Sequence, residues 1–303
     1  MSLIESTHKG RDIEETIDLY FYRPLGYAIA RVARAVALTP NALSIISILF
    51  GILAGHLFYY RDLTVNVVGI ILLVVAEALD SADGQLARMT NAKSRFGRIL
   101  DGVATNLIYI SIYVHLCLRL MATGVPIWIF GVAALCGLSH SFQSAMADYY
   151  RNAYLYFVHG KDRSEIDLSL PMAELYGTLS WFRQPIRKFL MRVYLNYTRQ
   201  QELFARNFLK LYATVRERFG LPLPQWLRED YAASNKPLLK YYNLITSNTR
   251  MIALFCSLLI DNVPLYFLFE LVVLNGVLLI LTIHQERLNA RLLEKVLANE
   301  GAA

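Results

Sequence analysis

Apolar residues along this 303-residue chain gather into runs approaching the ~20 residues that cross about 30 Å of hydrocarbon. Six runs are expected to span a bilayer as helices: residues 43–60, 63–79, 99–121, 125–146, 249–260 and 265–283. The fifth is short and gains length if residues 241–247 continue its helix. Two further stretches have helical periodicity but too many charges to span. Residues 13–37 mix Leu, Tyr, Phe and Ile with Asp, Glu and Arg. That pattern predicts an amphipathic helix lying on the membrane surface, interrupted near Pro24-Leu25-Gly26. Residues 151–240 form a basic insert in which Phe189, Val193, Leu195, Phe204 and Leu209 recur at helical spacing. Breaks are expected at Gly220-Leu221-Pro222 and Lys236-Pro237. The insert reads either as a solvated structural cap or as a lid that gathers an anionic substrate or anionic lipid.

Charge orients this plan. Of 30 Lys and Arg, 28 fall on one side of a six-span arrangement, including Lys9, Arg11, Arg23, Arg31 and Arg34 before the first span and Arg88, Lys93, Arg95 and Arg98 between the second and third. Only Arg61 and Arg119 remain opposite. The positive-inside rule then places both termini, and the junction of spans two and three, in the cytoplasm. The fold expected is an all-α, multi-pass integral membrane protein with an N-terminal surface helix and a helical cytoplasmic insert. Its organisation divides into a surface segment (1–42), spans one to four (43–150), the insert (151–240), spans five and six (241–285) and a cytoplasmic tail (286–303).

Composition agrees. Hydrophobic residues make up 55% and charged residues 18%, and mean hydropathy is +0.37. This excludes a disordered chain, and a soluble domain of this length would leave too much of that apolar material at its surface. The net charge of +6 is what cytoplasmic loops require and gives no reason to expect nucleic acid. Cys117, Cys136 and Cys256 have neither paired nor metal-ligand spacing and are expected as small buried hydrophobes. The charged N-terminal stretch lacks the short apolar core of a cleaved signal peptide.

Chemistry concentrates where the second run meets the third. There the chain reads Asp80-Ser-Ala-Asp83-Gly84-Gln-Leu-Ala87-Arg88, followed by Gly97 and Asp101. Asp80 and Asp83 are three apart and share a helix face. An antiparallel helix after a short basic loop would carry Asp101 opposite them. Carboxylates at this depth are costly unless paired or bound to a cation, and hard oxygen ligands suit Mg²⁺, Mn²⁺ or Ca²⁺. Gly84, Ala87 and Gly97 would let phosphates approach the backbone, and Arg88 offers them a fork of donors. The competing reading is a structural network in which the acids pair with Arg88, Lys93, Arg95 and Arg98.

This spacing resembles the signature of the CDP-alcohol phosphotransferases: Asp, two residues, Asp-Gly, two residues, Ala-Arg, eight residues, Gly, three residues, Asp, three residues, Asp. Asp80, Asp83, Gly84, Ala87, Arg88, Gly97 and Asp101 match with every gap kept. Thr39-Pro40-Asn41-Ala42-Leu43-Ser44 is similar to the family's entry into its first span. The resemblance leaves the insert uncovered. It implies a Mg²⁺- or Mn²⁺-dependent enzyme that moves a substituted phosphate from a CDP-linked donor to an alcohol, releases CMP and makes a phospholipid or related lipid. It further implies metal ligation by Asp80, Asp83, Asp101 and position 105, a catalytic part for Asp101, donor contacts from Asn41, Gly84, Ala87, Arg88 and Gly97, and a homodimer among membrane lipids.

One position departs. The last acidic residue of the signature is the family's general base, and here it is Thr105, a neutral hydroxyl that cannot accept a proton near neutral pH. His140 and Asp148 on the fourth span, on one face with Ser144, are candidate replacements. Otherwise the chain is a catalytically impaired relative that binds CDP-lipid or a partner protein. A six-span transporter would need its polar groups at the bilayer midplane, whereas these acids cluster at one end. His56, His115 and His284 make weaker cases, and Lys161-Asp162-Arg163 reads as a solvated loop.

Overall fold

The computed structural model describes residues 14–92, 95–160 and 164–298, without the side chains of Arg95, Phe96 and Arg98. The expected loop Lys161-Asp162-Arg163 lies outside these residues, as do Lys9, Arg11 and Lys93. Every regular element among the described residues is helical, and five helices are long and apolar enough to cross a membrane: Pro40–Leu57, Leu63–Met89, Ile99–Met121, Ile129–His159 and Val263–Ala298. The chain is an all-α, multi-pass membrane protein. It divides into two compact units, one running to His140 and including Arg250–Leu271, the other comprising Ser141–Thr249 and the chain from Val272.

In the first unit, α1 (Arg23–Ala35) follows a π-helical turn, Asp18–Tyr22. The interruption expected at Pro24 takes this form. Proline has no N–H to donate, and the helix widens just before it instead of breaking. α1 lays Gly26, Ala30 and Ala33 against α3 (Leu63–Met89), where Gln85 Nε2 donates to the Arg23 carbonyl at 3.0 Å. Gly26 has no room for a Cβ, which would fall 2.8 Å from Ser81 Oγ.

α2 (Pro40–Leu57) opens on the signals its sequence carries: Thr39 Oγ1 accepts from Ala42 N, and Pro40 occupies the first turn. One stripe of this helix is small throughout, with Ser44, Ser47, Gly51, Ala54 and Gly55 all buried. Small residues let helices approach closely in lipid, and α2 accordingly contacts both α3 and α4 (Arg95–Met121). A Cβ on Gly55 would meet the Ile112 backbone nitrogen at 2.9 Å. Hydrogen bonds fix the register, from Ser47 Oγ to the Ala76 carbonyl at 2.8 Å and from Ser111 Oγ to the Ile52 carbonyl at 3.1 Å.

The two basic residues left on the sparsely charged side serve one acid. Arg119 is 2% exposed and donates to the carbonyls of Phe58 and Tyr60, to Asn66 Oδ1, and to Asp261 Oδ1 at 2.7 Å. Arg61 also pairs with Asp261. Asp261 sits in the turn between α10 (Ser247–Leu259) and α11 (Val263–Leu268), with φ +52°. Hydrogen bonds from Arg61 and Arg119 hold its carboxyl below the ordinary carboxylate range. A depressed pKa stabilises the fold above the unfolded value of about 3.9 and is lost as pH falls through the folded value. Asp261→Asn keeps a residue that tolerates this backbone and removes only the charge. The melting temperature in detergent should fall below about pH 4 in the natural protein, and that acid limb should be shallower in the variant; identical limbs would refute the assignment.

Some expectations are corrected. The fifth run gives α10, 13 residues and about 20 Å long. A turn at Asn243–Ile245 separates it from α9 (Gln225–Tyr242), so 241–246 do not lengthen it. Arg250, counted among the loop charges, is buried within α10. Cys117 and Cys136 are buried as expected, but Cys256 is on the exposed face of α10.

In the second unit, α5 (Ile129–Tyr154) supplies its C-terminal half and is followed by a π-helical turn, Leu155–His159. α6 (Ser169–Thr178), α7 (Pro185–Phe204), α8 (Arg206–Phe219) and α9 complete the insert, and α12 (Asn275–Ala298) packs on α8 and α9. Glu286 on α12 binds this cluster, accepting from the backbone N–H of Asn207 and Phe208 and from the Tyr150 hydroxyl. The break at Gly220 is present, with φ +62°. The break at Pro237 is absent, because α9 runs through it. Proline deprives the Ala233 carbonyl of its helical donor, but Ala233 and Pro237 share the exposed face, where that carbonyl is accessible to water.

Candidate active site

α3 is 27 residues long, about 40 Å, so it carries its acids in its final turns and not in a loop beyond them. Asp80 and Asp83 lie there on one face, and Asp101 lies two turns into α4. One carboxylate oxygen from each of the three can be chosen so that all lie within 4.8 Å of one another. At an effective dielectric of about 20, each pair of charges at that separation repels by at least ~3 kcal/mol. A cation between them would relieve that repulsion. Oxygens on opposite sides of Mg²⁺ lie about 4.2 Å apart, and of Ca²⁺ nearly 5 Å. The donor set therefore suits a hard divalent ion in charge, ligand type and spacing.

Neighbouring residues hold the acids. Ser44 on α2 donates to Asp83, and its hydroxyl also lies 3.2 Å from the Pro40 carbonyl. Asp83 is buried, whereas Asp80 and Asp101 are half-buried and accessible. Arg88 is half-buried one turn beyond Gly84, and its guanidinium interacts with the Asp83 charge. A Cβ on Gly84 would meet only the Arg88 guanidinium, at 3.6 Å. Ala87 and Gly97 are half-buried, and Asn41 is exposed in the first turn of α2. Thr105 lies one turn after Asp101, and its Oγ1 donates to the Asp101 carbonyl at 3.3 Å.

Of the proposed bases, His140 is buried with its ring edge-on to Tyr109, centroids 4.2 Å apart. Tyr109 is eight residues, or about 12 Å of helix, beyond Asp101. Asp148 belongs to the second unit and accepts from Asn152 Nδ2 at 3.1 Å on its own helix.

Comparison with known proteins finds a likeness over this part of the chain. The family model described as CDP-alcohol phosphatidyltransferase matches residues 37–158. The chain carries a CDP-alcohol phosphatidyltransferase domain. That domain takes in α2 to α5 and the turn after α5, and so contains Asp80, Asp83 and Asp101. An archaetidylinositol phosphate synthase from Pyrococcus horikoshii is 37% identical over 79 residues, 26% of this chain. The match spans 40% of that relative's length. No solved structure matches the chain significantly.

Two residues of the phosphatidyltransferase domain escape a reading by motif. Ser44 closes the Thr39-to-Ser44 stretch but sits 39 positions before the aspartate it binds, and that stretch does not reveal the contact. Glu77 precedes the motif by one turn and has Asp80 on its face of α3. Its carboxylate interacts electrostatically with Asp80 and Asp101, and with Asp18 and Glu15 in the segment before α1. Burial, then the charge of Glu77, pushes the Tyr22 phenol well above its usual range. The period of α3, extended one turn toward its N-terminus, is the signal that finds Glu77.

Proposed function

We propose that the chain is a membrane phosphotransferase that passes a substituted phosphate from a CDP-linked donor to an alcohol, releases CMP, and serves phospholipid or related lipid synthesis. The convergence of Asp80, Asp83 and Asp101 carries this reading. These three, with the Thr105 hydroxyl, would hold Mg²⁺ or Mn²⁺, which when bound would offset the charge of the diphosphate and of the departing CMP. Gly84, Ala87 and Gly97 let the donor approach the helix backbones. Arg88 and Asn41 supply it with hydrogen-bond donors. The excess of Lys and Arg on one side supports a cytoplasmic site and cytoplasmic termini. A homodimer among membrane lipids follows from the resemblance alone.

The acceptor oxygen attacks the β-phosphorus, the bond to the CMP oxygen breaks, and the acceptor's proton must go to a base. Thr105 cannot take it. His140 is packed against Tyr109 and Asp148 is held by Asn152. Glu77 lies one turn before Asp80 on the same face of α3 and interacts electrostatically with Asp101, and we assign it the proton. The second reading, an impaired relative that binds CDP-lipid or a partner protein, is favoured by Thr105 itself.

CMP release by the purified protein, with Mn²⁺ and a panel of CDP donors and alcohols, tests both. Glu77→Gln should cut kcat by about 10²-fold or more while keeping the rise in melting temperature on donor binding. Adding Thr105→Asp should restore turnover. A natural protein that binds donor without turnover, and gains it from Thr105→Asp, would establish the second reading. Loss of turnover in His140→Ala or Asp148→Asn, but not in Glu77→Gln, would move the base there.

A further inference from the structure

The connection between α6 and α7 is built unlike the rest of the insert. Seven consecutive residues, Trp181 to Arg187, are exposed. Phe182 is 100% exposed, Trp181 48% and Ile186 70%, and Phe189 one turn further on is also exposed. A connection held only by solvent would not place two aromatics and an isoleucine outward together.

Nor is this a loose tip. The Gln184 N–H donates to the Ser180 carbonyl at 2.9 Å, and the Lys188 N–H to the Gln184 carbonyl at 2.9 Å. Lys188 Nζ donates to the Leu179 carbonyl at 2.7 Å and lies 4.7 Å above the Tyr176 ring and 5.8 Å above that of Trp181. Leu190, Met191 and Leu195 anchor the opposite face of α7 in its own unit. The outward face is therefore presented by a fixed scaffold.

Its charge is one-sided. Between Glu174 and Glu202 there is no acidic residue, while Arg183, Arg187, Lys188, Arg192 and Arg199 are basic. All of these except Lys188 are exposed. Exposed Trp, Phe and Ile beside Arg and Lys are what the interface of an anionic leaflet takes up: rings and aliphatic chains enter the acyl boundary, and cations meet headgroup phosphates. A second copy docking the same face would bring two basic surfaces together, which is repulsive.

We propose that the α6–α7 turn is a membrane anchor, with Trp181, Phe182 and Ile186 inserted into the interface of an anionic phospholipid leaflet and Arg183 and Arg187 bound to its headgroups. The inference is independent of the catalytic reading, since none of these residues belongs to the aspartate site.

The test uses the full chain in nanodiscs, with Trp128→Phe and Trp226→Phe leaving Trp181 as the sole reporter. In discs of phosphatidylcholine with phosphatidylglycerol, brominated acyl chains should quench Trp181 at least about twofold more than aqueous iodide does. Phe182→Asp, a change on a fully exposed side chain, should reverse that preference at unchanged melting temperature. Arg183→Ala with Arg187→Ala should weaken it in anionic discs and leave pure phosphatidylcholine discs unaffected. Equal or greater quenching by iodide in every lipid overturns the proposal. So does efficient disulfide cross-linking of Phe182→Cys between copies, which would give the face to a second chain.

Discussion

Exchanging Asp83 for asparagine is expected to lower CMP release by about 10³-fold or more, equivalent to ~4 kcal/mol of transition-state stabilisation. The reasoning starts from charge. Three carboxylates each place one oxygen within 4.8 Å of the other two, and each pair resists that closeness. A divalent cation would repay the cost, and asparagine, with the same shape and no charge, would remove about a third of the attraction that would hold it. Ser44 can still donate to the amide oxygen, so the helices keep their register. A second measurement separates loss of function from loss of fold. In chelator, without metal, the variant should melt at or above the temperature of the natural protein, because one member of a mutually repelling set is gone. With Mn²⁺ added, the natural protein should gain stability and the variant should gain little. Turnover at the natural rate in Asp83→Asn would end the proposal for this site. A drop in metal-free stability would mean that the aspartate is structural.

How much of this was legible in the sequence depends on how far apart the cooperating residues lie. Asp80, Asp83 and Asp101 sit within 22 positions, on two helices joined by a short loop. Helical period and loop length alone bring them together. The cap at Thr39 and the small stripe of α2 are likewise local patterns with local causes. Ser44 and Glu77 are different. A serine inside an apolar helix, and a glutamate one turn ahead of a motif, acquire meaning only when α2 and α4 close around α3. The positive-inside count correctly assigns Arg61 and Arg119 to one end. It cannot see that both bind Asp261, some 140 to 200 positions away. Arg250 defeats that count for the same reason: its partner is in another helix, and pairing turns a loop charge into a core residue. Pro237 shows the limit of breaker rules. Proline ends a helix when the carbonyl it orphans is buried, and there that carbonyl faces outward.

The pair that hides Arg250 yields the largest expected effect on stability. Arg250 Nε lies 2.7 Å from Glu270 Oε1, both side chains are 0% exposed, and the Tyr266 hydroxyl donates to the same carboxylate oxygen at 2.9 Å. Removing one partner leaves a charge in a medium that cannot solvate it, at a cost of about 3–5 kcal/mol. The two removals are not equivalent. Glu270 can shed its charge by taking up a proton and keeps the Tyr266 hydrogen bond, whereas a guanidinium stays charged under all ordinary conditions. Glu270→Leu should therefore destabilise more than Arg250→Met, as read from denaturation midpoints in one detergent. The double variant should recover most of the loss, because a buried ion pair replaced by apolar side chains of similar volume is often neutral or better. That ordering, with a coupling of about 2 kcal/mol or more in the cycle, distinguishes a desolvated pair from ordinary packing. Additive losses would show instead that Arg250 and Glu270 contribute separately, each through its own contacts.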